Sequence, residues 1–110
     1  FTDISGYSTS STTYSTTNEV SSSGTNYSAG GNALDSQAVS VASNTALVDF
    51  ADEVFSSVTL SAVGAVIYND TNSDKLVVVL DFGGTKTATN GDFTIQFPAA
   101  GASTAIIRIA

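Results

Sequence analysis

Apolar and polar residues alternate over most of the chain beyond residue 33, which is the pattern of half-buried β-strands. Val58 and Leu60 share one face of their segment, and Phe93, Ile95 and Phe97 alternate with polar residues. The predicted strands are ALDSQAVSV, TALVDF, FSSVTLSA, VGAVIYND, KLVVVLDF, FTIQF and TAIIRIA. About seven short strands, with turn signals roughly every 8–12 residues, predict an all-β fold: a single antiparallel β-sandwich or barrel-like domain.

The connections between these strands are short and rich in turn-forming residues. Ser43-Asn44 predicts a turn, and residues 69–74 predict a polar loop. The segment GGTKTATNGD, which begins at Gly83-Gly84, predicts a further connection before FTIQF. Pro98 ends the FTIQF strand because proline has no amide hydrogen to donate.

Residues 1–31 have a different composition, dominated by Ser, Thr, Gly, Asn and Tyr. We assign them to an extended N-terminal arm, and residues 32–110 to the β-sandwich domain. Low-complexity stretches such as STSSTTYSTT are typical of loops or disorder. Tyr7, Tyr14 and Tyr27 favour the alternative, because tyrosines pin strands to a neighbouring surface. A mobile arm and an arm ordered by contact both remain open.

The composition suits one compact domain of 110 residues, with 42% hydrophobic and 12% charged residues. The net charge is −7, and the basic residues are Lys75, Lys86 and Arg108. A nucleic-acid groove or an anionic membrane surface requires clustered lysines and arginines. We therefore expect neither nucleic acid nor membrane as a partner.

A possible calcium loop is the first candidate for chemistry. Asp70, Asn72 and Asp74 place oxygen donors at every second position, as the opening ligands of an EF-hand loop do. An EF-hand loop also requires Gly at its sixth position and Glu at its twelfth, and these positions hold Lys75 and Asp81. A polar hairpin loop without metal is the favoured interpretation, with calcium at the three residues as the minor alternative.

Catalytic groups are scarce in this chain. It has no Cys and no His, so its serines have no histidine base, and neither Lys75 nor Lys86 follows a Ser-x-x-Lys pattern. Asp49, Asp52 and Glu53 form the densest acidic cluster, for which a solvated turn is favoured over an acid–base pair. We predict a protein that is not an enzyme and binds no cofactor.

Short motifs follow one another in order from residue 18 towards the C-terminus. They are NEV with a Gly, a Tyr and AGG-AL (residues 18–34), an acidic turn (50–52), AVIYND (65–70), DFGG-K (81–86) and GDFTIQF-AAG (91–101). In this order and spacing, the chain resembles a family of small tailed-bacteriophage virion structural proteins. It departs from the family at Phe55, where a Trp is usual, and in beginning at Phe1 without a preceding segment. A fragment and the observable part of a longer polypeptide are the two interpretations of this start.

The resemblance implies a capsid decoration protein on the exterior of the particle, assembled in the bacterial cytoplasm. Its partners would be further copies of itself, usually as a trimer, and the major capsid protein. An acidic Ser/Thr-rich surface, and an arm or strand edge that adds to a neighbour, fit this role. The predicted assembly contacts are Tyr7, Tyr14, Tyr27, Ile106, Ile107 and Ile109. The alternatives are a tail-fibre module that binds host or carbohydrate, and a subunit of an extracellular filament.

Overall fold

The structure is a computed structural model that describes residues 1–109, and within them the regular structure is β-strand apart from one 3₁₀ turn at Asp70–Asn72. The prediction of an all-β chain is confirmed. The strands are β1 (Ala38–Ala42), β2 (Thr45–Asp49), β3 (Glu53–Asn69), β4 (Lys75–Ile95) and β5 (Ile107–Ile109). They form two sheets, of which β1-β2-β5 has three strands and β3-β4 has two.

Two strands are much longer than predicted. β3 joins FSSVTLSA and VGAVIYND, while β4 runs through KLVVVLDF, the following polar segment and most of FTIQF. The prediction of a separate connection at residues 83–91 is therefore wrong. The described residues form five strands instead of the predicted seven, and two of the five are long. Gly83, Gly84 and Asn90 have φ values of +72°, +150° and +47°. These residue types tolerate positive φ, so the irregular backbone is absorbed inside β4 as local distortions.

The three-stranded sheet is antiparallel, and its register is well defined. Val39 lies opposite Val48 and Val41 opposite Ala46, while β5 pairs with the other edge of β2. The connection between β1 and β2 is the predicted two-residue turn, with φ values of 50° at Ser43 and 62° at Asn44. Positive φ at both positions is the geometry of a type I′ turn, whose twist matches that of the paired strands.

Contacts divide the chain into two compact units. Unit 1 comprises Phe1–Gly31 and Ser56–Gly91, so the N-terminal arm belongs with the central part of the β3-β4 hairpin. Unit 2 comprises Asn32–Phe55 and the described residues from Asp92 onward. The hairpin loop predicted at residues 69–74 connects β3 to β4 within unit 1.

The arm is ordered by contact with both strands of the hairpin. On β3, the amide of Val63 donates to the carbonyl of Phe1 (2.8 Å) and the amide of Thr59 donates to that of Thr25 (2.9 Å). On β4, Thr13 forms an isolated β-bridge with Lys75. The arm and hairpin share one buried core, to which Phe1, Val20, Val58, Leu60, Ala62 and Ala88 contribute.

A close approach at Gly64 sets the fit between the arm and the hairpin. A Cβ atom at this position would lie 2.4 Å from the carbonyl oxygen of Leu80 and 2.9 Å from Cγ2 of Ile4. The side chain of Ile4 therefore occupies the space that any larger residue at position 64 would need.

Unit 2 has a smaller core, in which Leu47, Thr45 and Ala105 are buried. The rings of Phe50 and Phe97 pack with centroids 5.7 Å apart. The predicted acidic turn has a structural role here, because Oδ1 of Asp52 accepts a hydrogen bond from the amide of Phe97 (2.9 Å). Asp52 thereby holds the segment after β4 in place.

Candidate functional site

The side chain of Glu19 joins three points of the N-terminal arm. Its Oε2 accepts a hydrogen bond from the Tyr14 phenol (2.5 Å), and its Oε1 accepts one from the Tyr27 phenol (2.8 Å). The amide of Gly30 also donates to Oε1 (2.6 Å). Hydrogen bonds to an ionised carboxylate are roughly twice as strong as those between neutral groups, so Glu19 is the polar centre of this region.

Aromatic rings connect this centre to strand β3. The ring of Tyr14 stacks on that of Tyr68, with centroids 4.4 Å apart and planes 11° apart. The Tyr68 phenol donates to the carbonyl of Gly30 (2.7 Å). We call Tyr14, Glu19, Tyr27, Gly30 and Tyr68 the tyrosine cluster. It fastens the arm to the hairpin through both stacking and hydrogen bonds.

The glycine pair at residues 30 and 31 is required by this geometry. Gly30 has a φ of +89° and Gly31 a φ of +80°, values that residues with a Cβ rarely adopt. A Cβ on Gly30 would lie 3.4 Å from the Tyr68 phenol oxygen. The sequence NEVSSSGTNYSAGGNAL is thus an ordered surface segment whose glycines allow a left-handed turn beside Tyr68.

The tyrosine cluster strongly disfavours ionised phenols. Burial is the largest cause that raises the pKa of Tyr14 and Tyr27, followed by their hydrogen bonds to Glu19 and by its negative charge. Burial also raises the pKa of Tyr68, with smaller effects of Asp70 and Asp74. The phenols of the cluster are therefore neutral hydrogen-bond donors that hold the arm in place, and they do not act as phenolates.

The three tyrosines predicted as assembly contacts are all half-buried in unit 1. Tyr14 and Tyr27 belong to the tyrosine cluster, and the Tyr7 phenol donates to the carbonyl of Ser15 (3.2 Å). The ring of Tyr7 also meets that of Phe1 edge to face, with centroids 5.5 Å apart. Each side chain thus has a partner within its own chain, and contact with another chain stays a prediction.

The C-terminal isoleucines predicted as assembly contacts lie at and next to β5. Ile107 is half-buried opposite Val48, and Ile109 is 70% exposed opposite Ala46. Ile106 precedes the strand and is half-buried. Ile109 therefore extends an apolar side of the three-stranded sheet.

Val39 and Val41 share one side of β1 and are 79% and 74% exposed. β1 is an edge strand, and its two valines lie on the side of the sheet that also carries Ala46 and Ile109. Alternation in the sequence identified their common side correctly but gave no information on whether that side is covered.

The proposed calcium residues lie in the hairpin loop. Asp70 and Asn72 are in the 3₁₀ turn, and the carbonyl of Asp74 accepts a hydrogen bond from the amide of Tyr14 (2.9 Å). Within the described part of the chain, no group of three or more His, Cys, Asp or Glu side chains is placed to hold a metal ion. The loop has a structural role, since it pairs with the arm.

Two residues of the tyrosine cluster were not identified from the sequence. Glu19 was noted as part of a motif, without a role, and Tyr68 as part of a strand. The useful signal is that Glu19 is one of two glutamates and is the only charged residue between Asp3 and Asp35. An isolated acid among tyrosines and serines indicates a specific polar partner.

Comparisons with known proteins add no relative. No protein-family model matches the chain, and no match was found among the curated proteins or the solved structures. Among residues 1–109, no helix has the length and apolar character needed to cross a membrane. The resemblance to phage virion proteins thus depends on the motifs in the sequence.

Proposed function

We propose that this protein is a non-enzymatic structural protein of a tailed-bacteriophage virion, a decoration protein bound to the capsid exterior in many copies. Its partners in this proposal are further copies of itself and the major capsid protein, after assembly in the bacterial cytoplasm. Nucleic acid, membrane, metal and cofactor have no part in it. The sandwich or barrel-like arrangement of the sheets also stays a prediction.

The observation that carries the proposal is that distant motifs of the resemblance meet at the tyrosine cluster. NEV supplies Glu19, the central part of the same segment supplies Tyr27 and Gly30, and AVIYND supplies Tyr68. Val20, the last residue of NEV, is in the buried core of unit 1. The residues of these motifs thus act together in holding the fold, which supports the interpretation of the motifs as one structural pattern.

The DFGG motif also has a structural role. Oδ1 of Asp81 accepts a hydrogen bond from the amide of Gly83 (2.8 Å), which makes a local turn at the distortion in β4. The resemblance is therefore carried by residues that determine backbone shape. That pattern favours a structural protein over a catalytic one, in which motif residues converge on a cleft.

The surface chemistry agrees with a role outside the capsid. The chain has a net charge of −7 and low charge density, with Ser and Thr in place of many charged residues. A negatively charged surface resists nonspecific adhesion to DNA and keeps many copies soluble before assembly. The lack of cysteine suits folding in a reducing cytoplasm.

The tail-fibre alternative is less well supported by the geometry. A carbohydrate-binding role would use Tyr7, Tyr14 and Tyr27 as stacking platforms. The Tyr14 ring already stacks on Tyr68, and the phenols of Tyr14 and Tyr27 donate to Glu19. These two rings are thus engaged in holding the arm.

The filament alternative requires the arm to insert into a neighbouring subunit. In this structure the arm pairs with its own hairpin at Phe1, Thr13 and Thr25. An exchanged arm would have to give up each of these contacts and the tyrosine cluster. We therefore favour an arm that belongs to its own chain.

The decisive experiment is electron cryo-microscopy of purified phage particles that contain this chain, with density traced against its sequence. Density on capsid hexamers or at three-fold junctions is the expected result. Density confined to tail tips or fibres would replace decoration with host recognition. Density in a filament without capsids would overturn the phage proposal.

A binding assay provides an independent test with matched variants. Purified protein added to particles stripped of it should rebind to a saturating, defined copy number. Glu19→Gln should weaken rebinding if the ordered arm is part of the contact, whereas Glu53→Gln, which changes the other glutamate, should rebind as the original protein does. Failure of the original protein to rebind any capsid would count against decoration.

A further inference from the structure

One side of the three-stranded sheet is apolar, with Val39, Val41, Ala46 and Ile109 exposed and Val48 and Ile107 half-buried. Two cross-strand rows form it, the first made of Val39, Val48 and Ile107 and the second of Val41, Ala46 and Ile109. Paired residues lie on the same side of a sheet, and residues two apart in a strand share that side. We call these six residues the apolar face, and all of them lie in unit 2.

The apolar face carries no charged side chain, in a chain whose net charge is −7. Arg108 lies between Ile107 and Ile109 in β5 and pairs with Leu47, so it belongs to the opposite side of the sheet. Asp49 follows Val48 and also lies on that opposite side. If the apolar faces of two copies packed together, no carboxylate of one sheet would therefore lie against a carboxylate of the other.

The second row of the face combines two large side chains with a small one. In the second row, the branched side chains of Val41 and Ile109 flank the small side chain of Ala46 on the central strand. The row is thus high at both edges and low in the middle. When two such sheets pack face to face, a valine of one copy fills the depression above the alanine of the other, as in the core of a β-sandwich.

The size of the face indicates a reversible contact. Val39, Val41 and Ile109 are 79%, 74% and 70% exposed. With their neighbours they present on the order of 400 Å² of apolar surface, which is within the range of functional patches on monomers. Two copies would bury about 800 Å² between their apolar faces, which is less than the ~1,200 Å² of stable complexes. We therefore expect the association to be weak in dilute solution and to become significant at high local concentration.

We propose that the apolar face of β1, β2 and β5 binds the same face of a second copy of this chain, closing a two-fold β-sandwich between subunits. This deepens the proposed function, since it names one surface through which copies associate on a particle. Such a contact is isologous and closes at two copies.

Analytical ultracentrifugation of the full chain over a wide concentration range tests this proposal. The original protein should show a reversible monomer–dimer equilibrium with a dissociation constant of roughly 10–1,000 µM. Val41→Lys should raise that constant at least tenfold, because it places an ammonium group in the apolar contact. The matched control is Val77→Lys, which changes a valine of β4 that is 51% exposed and outside the face; it should dimerise as the original protein does.

A second variant separates a shaped contact from general stickiness. Ala46→Leu keeps the face apolar but fills its depression, so it should weaken the dimer, whereas unspecific hydrophobic association would be strengthened. Circular dichroism and thermal unfolding establish that each variant is folded. A strictly monomeric original protein, an oligomer unaffected by Val41→Lys, or a mass of three chains would overturn the proposal.

These results are separable from the test of decoration. A chain that is monomeric in ultracentrifugation but rebinds to capsids would refute this self-contact and leave the proposed function standing. A dimer that depends on Val41 and never binds capsids would support the contact and refute decoration.

Discussion

Glu19 accepts the phenolic hydrogen bond of Tyr27 at 2.8 Å, although seven residues, VSSSGTN, separate the two in the chain. The same carboxylate also binds Tyr14 and the amide of Gly30. One side chain therefore closes the loop that contains NEVSSSGTNYSAGG. A segment with the composition of a flexible linker is ordered because its few non-polar and charged residues converge on one another.

Replacing the central acid should destabilise the arm. Glu19→Gln leaves one acceptor oxygen where the carboxylate has two, so the Tyr14 phenol or the donors at Oε1 lose their partner. We expect a loss of about 1–3 kcal/mol in the free energy of unfolding, measured by urea denaturation. Glu53→Gln is the matched control, because Glu53 accepts from the exposed side chain of Asn32 and should lose under about 1 kcal/mol. Equal losses in the two variants would contradict a central role for Glu19.

The tyrosine cluster predicts loss of stability at alkaline pH. Burial and Glu19 raise the pKa of Tyr14 and Tyr27 in the folded chain above the ordinary value of 10.0. A group that holds its proton more tightly when folded contributes stability that is complete below its unfolded pKa and is lost as pH rises above it. The free energy of unfolding should therefore fall above about pH 10.

Phenolate absorbance provides the direct measurement of this effect. In urea all four tyrosines should titrate together near their ordinary pKa, whereas in the folded chain part of the absorbance change should appear only as the protein unfolds. Tyr27→Phe should reduce that delayed part. Identical titration curves in the folded and unfolded chain would refute the cluster as a set of protected neutral phenols.

Two glycines provide a matched test of the packing between arm and hairpin. Gly64→Ala places a Cβ against the backbone oxygen of Leu80 and against Ile4, so we expect a loss of about 2–3 kcal/mol in the free energy of unfolding. Gly6 has no atom within 4 Å of an added Cβ and is not among the residues with positive φ. Gly6→Ala should change stability by about 0.5 kcal/mol or less. A neutral Gly64→Ala would show that β4 and the arm leave room for a side chain at this position.

The turn between β1 and β2 should be improvable. Ser43 and Asn44 both have positive φ, and Asn-Gly is the preferred pair for such a turn. The double change Ser43→Asn and Asn44→Gly should raise the free energy of unfolding by about 0.5–1 kcal/mol, because it removes backbone strain. Asn72→Gly is the control, since Asn72 is not among the residues with positive φ. We expect Asn72→Gly to leave the temperature of thermal unfolding unchanged or to lower it.

Local patterns predicted what depends on neighbours in sequence. The alternation of apolar residues identified the all-β class, and Ser43-Asn44 and residues 69–74 identified two of the connections. The lengths of β3 and β4 were underestimated, because glycine and asparagine are turn residues in most contexts. Their tolerance of positive φ also allows a strand to continue through a distortion when its partner strand keeps pairing.

The candidate site depended on contacts between distant residues. Tyr14 and Tyr68 stack, and the Tyr68 phenol binds the carbonyl of Gly30. Neither relationship has a signature in spacing, because each joins segments that the chain brings together only on folding. The exposure of Val39 and Val41 was unpredictable for the same reason. Alternation shows which residues share a side of a strand, but it does not show whether that side is buried.

The sequence by itself determined the class of structure, the turn at Ser43-Asn44 and the lack of histidine and cysteine chemistry, since these follow from residue type and short-range geometry. Only the tertiary structure decided that the arm is held by Glu19 and that Val39, Val41 and Ile109 are exposed. Both depend on which distant segments pack against the strands, and this is determined by the summed burial and hydrogen bonding of the whole chain.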